Sequence, residues 1–405
     1  MVFDGIRKNT IPYTSNTGET SMGQYLGEEI PKLGFGMMRL PKNGEEIDIE
    51  KTKVMVDKFL AAGFTYFDTA WIYQGSEDAT RQALVERYPR ESFQLATKNA
   101  AWVDNKTRED AIAQFETSLK RLGTDYVDFY LLHNLGDTRS TLFEELDLWN
   151  YFLDQKKAGR IRHLGFSFHS TADQLDDILT KHPEAEFVQL QINYADWDHK
   201  FIQSRLNYEV CRKHGKPVVI MEPVKGGMLA TPPESVVKIL RDANPDISPA
   251  AWAIRFGASL PGVITVLSGM STPEQMDDNL NSMKGFKALT EAEKETVFKA
   301  QEALSKVPMI PCTSCDYCAK VCPMDIGISG TFNGRNLLTL YSNMESAKVQ
   351  IFWAVANLGK KDAVECIGCG KCEEVCPQHL EIRKLLAEAA KAFDQKKSEG
   401  AEKKD

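Results

Sequence analysis

Cysteine is almost missing from the first three quarters of the chain: of nine cysteines, only Cys211 precedes residue 312. A disulfide framework for that part is excluded. Long apolar runs are also missing, since none reaches the roughly 20 residues of a membrane-spanning helix. The segment Met1–Glu29 is polar and lacks the apolar core of a signal peptide. A cytoplasmic protein with no membrane span is therefore expected. Positive charge is in short supply: 49 Lys+Arg stand against 57 Asp+Glu, a net charge of −8. A phosphate backbone needs a concentrated basic surface, so nucleic acid is not an expected partner. No G-x-G-x-x-G follows an early strand-like run, which disfavours a Rossmann domain. What remains, 405 residues at 26% charged and 42% hydrophobic, fits a soluble globular chain with more than one packing unit. Disorder, collagen and coiled coil are excluded.

From Lys32 to about Asn281, short apolar β-rich runs alternate with longer segments of helical period. The eight runs begin at Lys32, Thr65, Phe93, Tyr126, His163, Phe187, Pro217 and Val263. Between them lie helix candidates such as Thr107–Leu122, with Ile112, Phe115, Leu119 and Leu122 at helical spacing. Eight βα units in about 250 residues predict a closed (β/α)8 TIM barrel rather than an open sheet. Leu289–Lys306 reads as a further helix, and Pro308 and Pro311 mark a domain junction. The predicted division is an N-terminal extension (1–30), the barrel (31–307), a cysteine-bearing α-helical domain (308–390) and a charged tail (391–405).

The remaining eight cysteines repeat one motif: Cys312-x2-Cys315-x2-Cys318-x3-Cys322-Pro323 and Cys366-x2-Cys369-x2-Cys372-x3-Cys376-Pro377. In a reducing compartment clustered thiols read as metal or cluster ligands before they read as disulfides. Spacings of two let three thiolates converge on one iron–sulfur cubane, while the fourth cysteine, followed by Pro, leaves the loop for the other cluster. Zinc takes four ligands, usually from two separated C-x2-C pairs, which leaves the third cysteine and the C-P ending unexplained. The motif is similar to that of bacterial two-cluster ferredoxins, and it implies two 4Fe-4S clusters. One departure is the 43 residues between Cys322 and Cys366, whose apolar stretches Leu337–Tyr341 and Val349–Leu358 suit an inserted helical pair packed on the barrel.

A TIM barrel carries its chemistry at the C-terminal ends of its strands. There the sequence places Asp68 and, five residues on, Tyr73 after the second run, Lys98 in the third and His133 in the fourth. An ammonium held by a carboxylate stabilises phenolate, so Tyr73 is the candidate acid, with Lys98 and Asp68 tuning it. Neutral His133 can donate to a carbonyl oxygen and orient it. Any one of these alone reads as structural; four on neighbouring strands read as a site.

In FDTAWIY, LATK and YLLH the sequence resembles the aldo-keto reductase family and its Asp, Tyr, Lys, His tetrad, over roughly residues 31 to 282. With the cysteine runs it resembles the branch of that family fused to a C-terminal ferredoxin-like domain. The resemblance implies hydride transfer between a nicotinamide coenzyme, NADH or NADPH, and a small-molecule carbonyl or alcohol, without metal or flavin in the chemical step. Implied coenzyme contacts are Gly36 and Met37 after the first strand, Ser167 and Gln189 at the carboxamide, and Met221 under the nicotinamide. Glu222, Val224 and Gly226 belong to the pyrophosphate loop, and Gly269, Ser271, Gln275 and Asn279 to the adenosine end. Phe168 replaces an expected Asn, and Met221 an aromatic residue that often stacks there. Gly269 and Gln275 stand where NADPH-specific members place Lys and Arg. A 2′-phosphate loses charge-assisted bonds there, so NADH is at least as plausible, with Lys225 as a partial substitute. The substrate pocket is expected around Trp71, Trp102 and the loop Asn134–Arg139.

Two readings stay open. In one the chain is a carbonyl reductase or alcohol dehydrogenase whose clusters serve a redox partner protein or a bound substrate, or brace the domain. In the other it is an electron-transfer protein whose barrel is a binding scaffold. Hydride moves two electrons and a 4Fe-4S cluster one, so direct exchange between the two is disfavoured.

Overall fold

The computed structural model describes residues 24–103, 107–200, 202–312, 314 and 316–401. Eight strands form the barrel: β1 (Leu33–Gly36), β2 (Tyr66–Asp68), β3 (Gln94–Asn99), β4 (Val127–Leu135), β5 (Ile161–Phe168), β6 (Phe187–Gln191), β7 (Val218–Met221) and β8 (Val263–Ser268). Each pairs in parallel with its neighbour in sequence, and β8 closes on β1. All eight predicted runs are strands. Parallel neighbours need a crossover, and the helices between them supply it.

Helix ends follow the local chemistry. Thr107 and Asp110 form a reciprocal capping box at Arg108–Leu122, and Thr290 and Glu293 form another at Glu291–Ser305. Inside the barrel, Ile30, Tyr66, Phe129, Phe187, Val219 and Ile264 pack as one layer. Gly165 is needed there: a Cβ would lie 2.4 Å from the Phe187 carbonyl oxygen. The sequence division assigns Ile30 to an extension, yet it is only 2% exposed and belongs to this interior layer. Residues Gln24–Tyr25 and Glu28–Glu29 pair as a short hairpin ahead of it, and Glu28 reaches His163. Cys211 is fully buried, as a small apolar core residue would be.

Beyond the barrel, helices Ile328–Tyr341 and Met344–Ala354 form the hairpin inserted between the cysteine runs. They approach closely because Gly334 has no side chain: a Cβ there would lie 2.4 Å from Ile351. The last helix, Ile382–Ala401, extends well into the predicted tail. Among the described residues no helix is long and apolar enough to cross a membrane.

Candidate active site and cluster cavities

The sequence-predicted tetrad converges at the C-terminal mouth. Asp68 ends β2, and the backbone ladder continues past it through Thr69 N–H to the Ala96 carbonyl and Trp71 N–H to the Lys98 carbonyl. Turn hydrogen bonds from Tyr73 N–H to Ala70 and from Ser76 N–H to Tyr73 then fold the phenol back over the mouth. Lys98 is 1% exposed and donates to Asp68 Oδ1 at 2.5 Å and to the Thr69 carbonyl at 2.6 Å. Its ammonium lies 5.0 Å from the centre of the Tyr73 ring. His133 stands at right angles to Tyr73, with ring centres 5.9 Å apart. The β4–β5 register shifts beyond Leu132, and Asn134 adopts a left-handed φ of 59°. A bulge at this point re-aims side chains, as bulges beside sites do.

Burial sets the electrostatics. It lifts the Asp68 carboxyl, with Lys98 and Gln189 opposing. Burial pulls Lys98 down, but the charges of Asp68 and Tyr73 hold its ammonium above the ordinary lysine value. For Tyr73 the sequence argument has Lys98 lowering the phenol. Lys98 does act in that direction, but burial outweighs it and the phenol sits above its usual range. His133 is pushed well below the ordinary imidazole value by burial, then by the charge of Lys98, so it is a neutral ring. Its Nδ1 is buried without a hydrogen-bond partner. Trp102 holds the backbone at this point by donating to the His133 carbonyl at 2.9 Å.

The implied coenzyme contacts divide into two sets. Gly226, Gly269, Ser271 and Gln275, from the loops after β7 and β8, gather around Arg39. Ser271 Oγ donates to the Arg39 carbonyl at 2.7 Å, and Ser271 N–H donates to Gln275 at 2.7 Å. Gly36 lies against the backbone of Ser268 and Gly269. Glu222 and Gly226 have left-handed φ values of 54° and 64°, which makes the loop between them a tight turn. Met221, whose carbonyl accepts from Ile192 N–H, leads into it, and Val224 packs on the core. The other set is engaged within the protein. Met37 is fully buried with its carbonyl bonded by Ser76, and Asn279 is buried with its amide on Ser268 Oγ. Ser167 Oγ accepts from Asn134 N–H at 2.7 Å, Gln189 donates to Asp68 Oδ2 at 3.0 Å, and Phe168 is buried.

Lys225, the expected substitute cation, is already paired within the protein. Its ammonium donates to both oxygens of buried Asp196, each at 2.6 Å. A second cation here is Arg39, which the sequence reading passed over. Its stem lies against Gly269 and its guanidinium donates to the Gly226 carbonyl at 3.1 Å. The signal was a lone cation directly after the first strand run. Also missed were the carbonyl of Thr69 under Lys98, and His169, which burial depresses to about 4.

Among its described residues the cysteine module shows two cavities. One is lined by Cys312, Cys318 and Cys376 with Ile328, Phe332 and Ile382. The other is lined by Cys366, Cys369, Cys372 and Cys322 with Arg383. Each takes thiols from one run plus the Pro-preceding cysteine of the other. Cys315 lies outside the described residues. The thiols ring both cavities in apolar surroundings.

Comparison with known proteins follows the same division. Residues 32–301 match the model of the aldo/keto reductase family, and residues 311–381 match a 4Fe-4S dicluster domain. An aldo-keto reductase of Mycolicibacterium vanbaalenii is 31% identical over 254 residues, 62% of this chain and 82% of that protein. A glyoxal reductase of Bacillus subtilis is 28% identical over 203 residues, 50% of this chain and 67% of that one. Among solved structures, an aldo/keto reductase from Brucella melitensis has a TM-score of 0.53 at 27% identity, covering 68% of this chain and 96% of its own. A Klebsiella pneumoniae aldo-keto reductase in complex with NADPH shares the fold, with a TM-score of 0.52 at 21% identity over 67% of this chain and 90% of that one. The chain belongs to the aldo/keto reductase family, with a 4Fe-4S dicluster domain joined to the C-terminal side of its barrel.

Proposed function

We propose that the protein interconverts an aldehyde or ketone and the corresponding alcohol, using NADH or NADPH bound along Arg39, Gly226, Gly269 and Ser271. The observation that carries this reading is the buried Lys98–Asp68 pair beneath Tyr73, with neutral His133 at right angles to the phenol. The coenzyme, when bound, supplies the hydride that reaches the carbonyl carbon. Tyr73 gives its proton to the carbonyl oxygen, and Lys98, anchored by Asp68 and the Thr69 carbonyl, stabilises the phenolate left behind. A neutral imidazole can donate one N–H while remaining uncharged, so His133 orients the carbonyl oxygen and stabilises the charge growing on it. Solvent returns the proton to Tyr73. Trp71 and Trp102 beside the mouth offer apolar surface to the rest of the substrate.

The eight motif cysteines hold two 4Fe-4S clusters in this reading, three from one run and one from the other at each. They serve a redox partner or support the module. The likeness to a structure in complex with NADPH agrees with the coenzyme proposed. The test is anaerobic purification, iron analysis and titration with NADH and NADPH, followed by assay against a panel of carbonyl compounds. Tyr73→Phe should reduce turnover by about 10²–10⁴ with coenzyme affinity kept. Intact turnover in that variant would remove Tyr73 from its role.

A further inference from the structure

Tyr73 rides on a loop, and both ends of that loop are pinned by side-chain contacts. Toward β1, Ser76 Oγ donates to the Met37 carbonyl at 2.8 Å and lies 2.7 Å from Thr69 Oγ1. Toward β3 the pin is ionic. Glu77, four residues after the phenol, is 1% exposed and accepts from Thr97 Oγ1 at 2.7 Å. Arg121, from the helix Arg108–Leu122, donates to Glu77 Oε2 at 3.3 Å and to the Trp71 carbonyl at 3.2 Å. Its guanidinium also lies 5.6 Å from the centre of the Trp71 ring.

Successive side chains on a strand face opposite ways. Lys98 meets Asp68 and the Thr69 carbonyl at the mouth, so Thr97, one residue earlier, turns its hydroxyl to the helix layer, where Glu77 takes it. Trp71 N–H donates to the Lys98 carbonyl at 3.2 Å, so the residue whose carbonyl Arg121 holds also rests on the Lys98 backbone. One buried carboxylate and one cation therefore grip the residue before Lys98 and the residue two before Tyr73. Taking a pair of charges out of water often serves stability less well than apolar packing of the same volume. What this pair fixes is the spacing between two segments, the loop of the phenol and the strand of the ammonium.

We propose that Glu77 and Arg121 are positioning residues for proton transfer: from behind the barrel wall they brace Tyr73 over Lys98 without touching substrate or coenzyme. The inference rests on the assignment of Tyr73 as the acid above. With the brace in place the ammonium stays 5.0 Å from the centre of the phenol ring and stabilises the phenolate left when the proton departs. Without it the loop keeps its anchor at Ser76 but loses its side-chain grip on β3, and the phenol drifts from Lys98. A displacement of about 1 Å costs up to roughly 10²-fold in rate. The coenzyme residues proposed above, Arg39, Gly226, Gly269 and Ser271, lie on other loops, so the loss falls on the chemical step.

The test is steady-state kinetics on the full chain with its iron content verified, using a carbonyl compound turned over in the panel assay above. Arg121→Met should lower kcat by about 10–10²-fold and leave the KM for the carbonyl and the coenzyme dissociation constant within about twofold. In the Tyr73→Phe background the same substitution should change turnover by less than about twofold, because residues that act through one group do not add. Unchanged kcat in Arg121→Met would overturn the proposal, as would an equal loss in both backgrounds or a loss carried by KM alone. If Arg121→Met does not fold, the paired variant Glu77→Gln with Arg121→Met leaves neither charge buried alone and is read in the same way. Full turnover in Tyr73→Phe by itself would overturn the acid assignment and the brace together. Lost turnover there with an additive cycle would remove the brace alone.

Discussion

The barrel and the cysteine module reach stability by different routes. The barrel buries dozens of apolar side chains in a continuous core, together with charged pairs such as Lys98–Asp68 and Arg90–Asp128. The module's own core includes Ile326, Ile328, Phe332, Ile382 and Leu386 and lines the two thiol-ringed cavities. It leaves Val349, Phe352, Trp353, Leu358, Val364 and Ile367 exposed. A core this small encloses little apolar surface, so the module is expected to rely on what its cysteines bind and on its docking to the barrel. The barrel can carry a strained, desolvated site because its core is large enough to hold that site in place.

Stripping iron with a chelator under reducing conditions breaks the comparison most strongly. Limited proteolysis should then cut within residues 308–390 while a barrel-sized fragment survives, because ligand binding contributes folding free energy directly in small metal domains. A module that stays resistant without iron would show that its apolar packing suffices. Next in size, Lys98→Met should lower turnover by about 10³ and cost the barrel about 3–5 kcal/mol. Met leaves Asp68 buried without its cation, and the melting temperature reads the stability loss separately from activity. Gly165→Ala should cost about 1–3 kcal/mol through overpacking, with no change in cluster content. An equal loss in barrel and module would mean that the two do not melt as separate units.

The smallest effect concerns pH. His163 is flanked by Glu28 and Glu186 and is raised to about 9, so its contribution is complete below the unfolded value near 6.5 and is lost as pH rises through 9. His169, depressed to about 4, contributes above 6.5 and its contribution is lost as pH falls toward 4. The barrel melting temperature should therefore peak near pH 6.5. His163→Gln should flatten the alkaline decline and leave the acidic one unchanged.

Much of the fold was legible because strand runs, turn signals and cysteine spacing are local patterns. The tetrad was legible for a related reason: a parallel barrel brings consecutive strand ends to one mouth, so Asp68, Lys98 and His133 could be placed together from strand order alone. Arg39 and Asp196 were not legible. Arg39 matters through its approach to Gly226, 187 residues away, and Asp196 through Lys225, 29 residues away. The pairing of Lys225 was hidden for the same reason, because a sequence shows a cation without showing which anion already holds it.

The sequence by itself determined eight βα units, a chemistry-bearing tetrad in strand order and a doubled cysteine motif, since each is written in residue type and spacing. Only the tertiary structure decided which groups are charged, which anion each cation meets, and that one inserted helix ties the cysteine module to the barrel core. Those outcomes depend on desolvation and on contacts between distant segments, and both exist only once the chain has closed on itself.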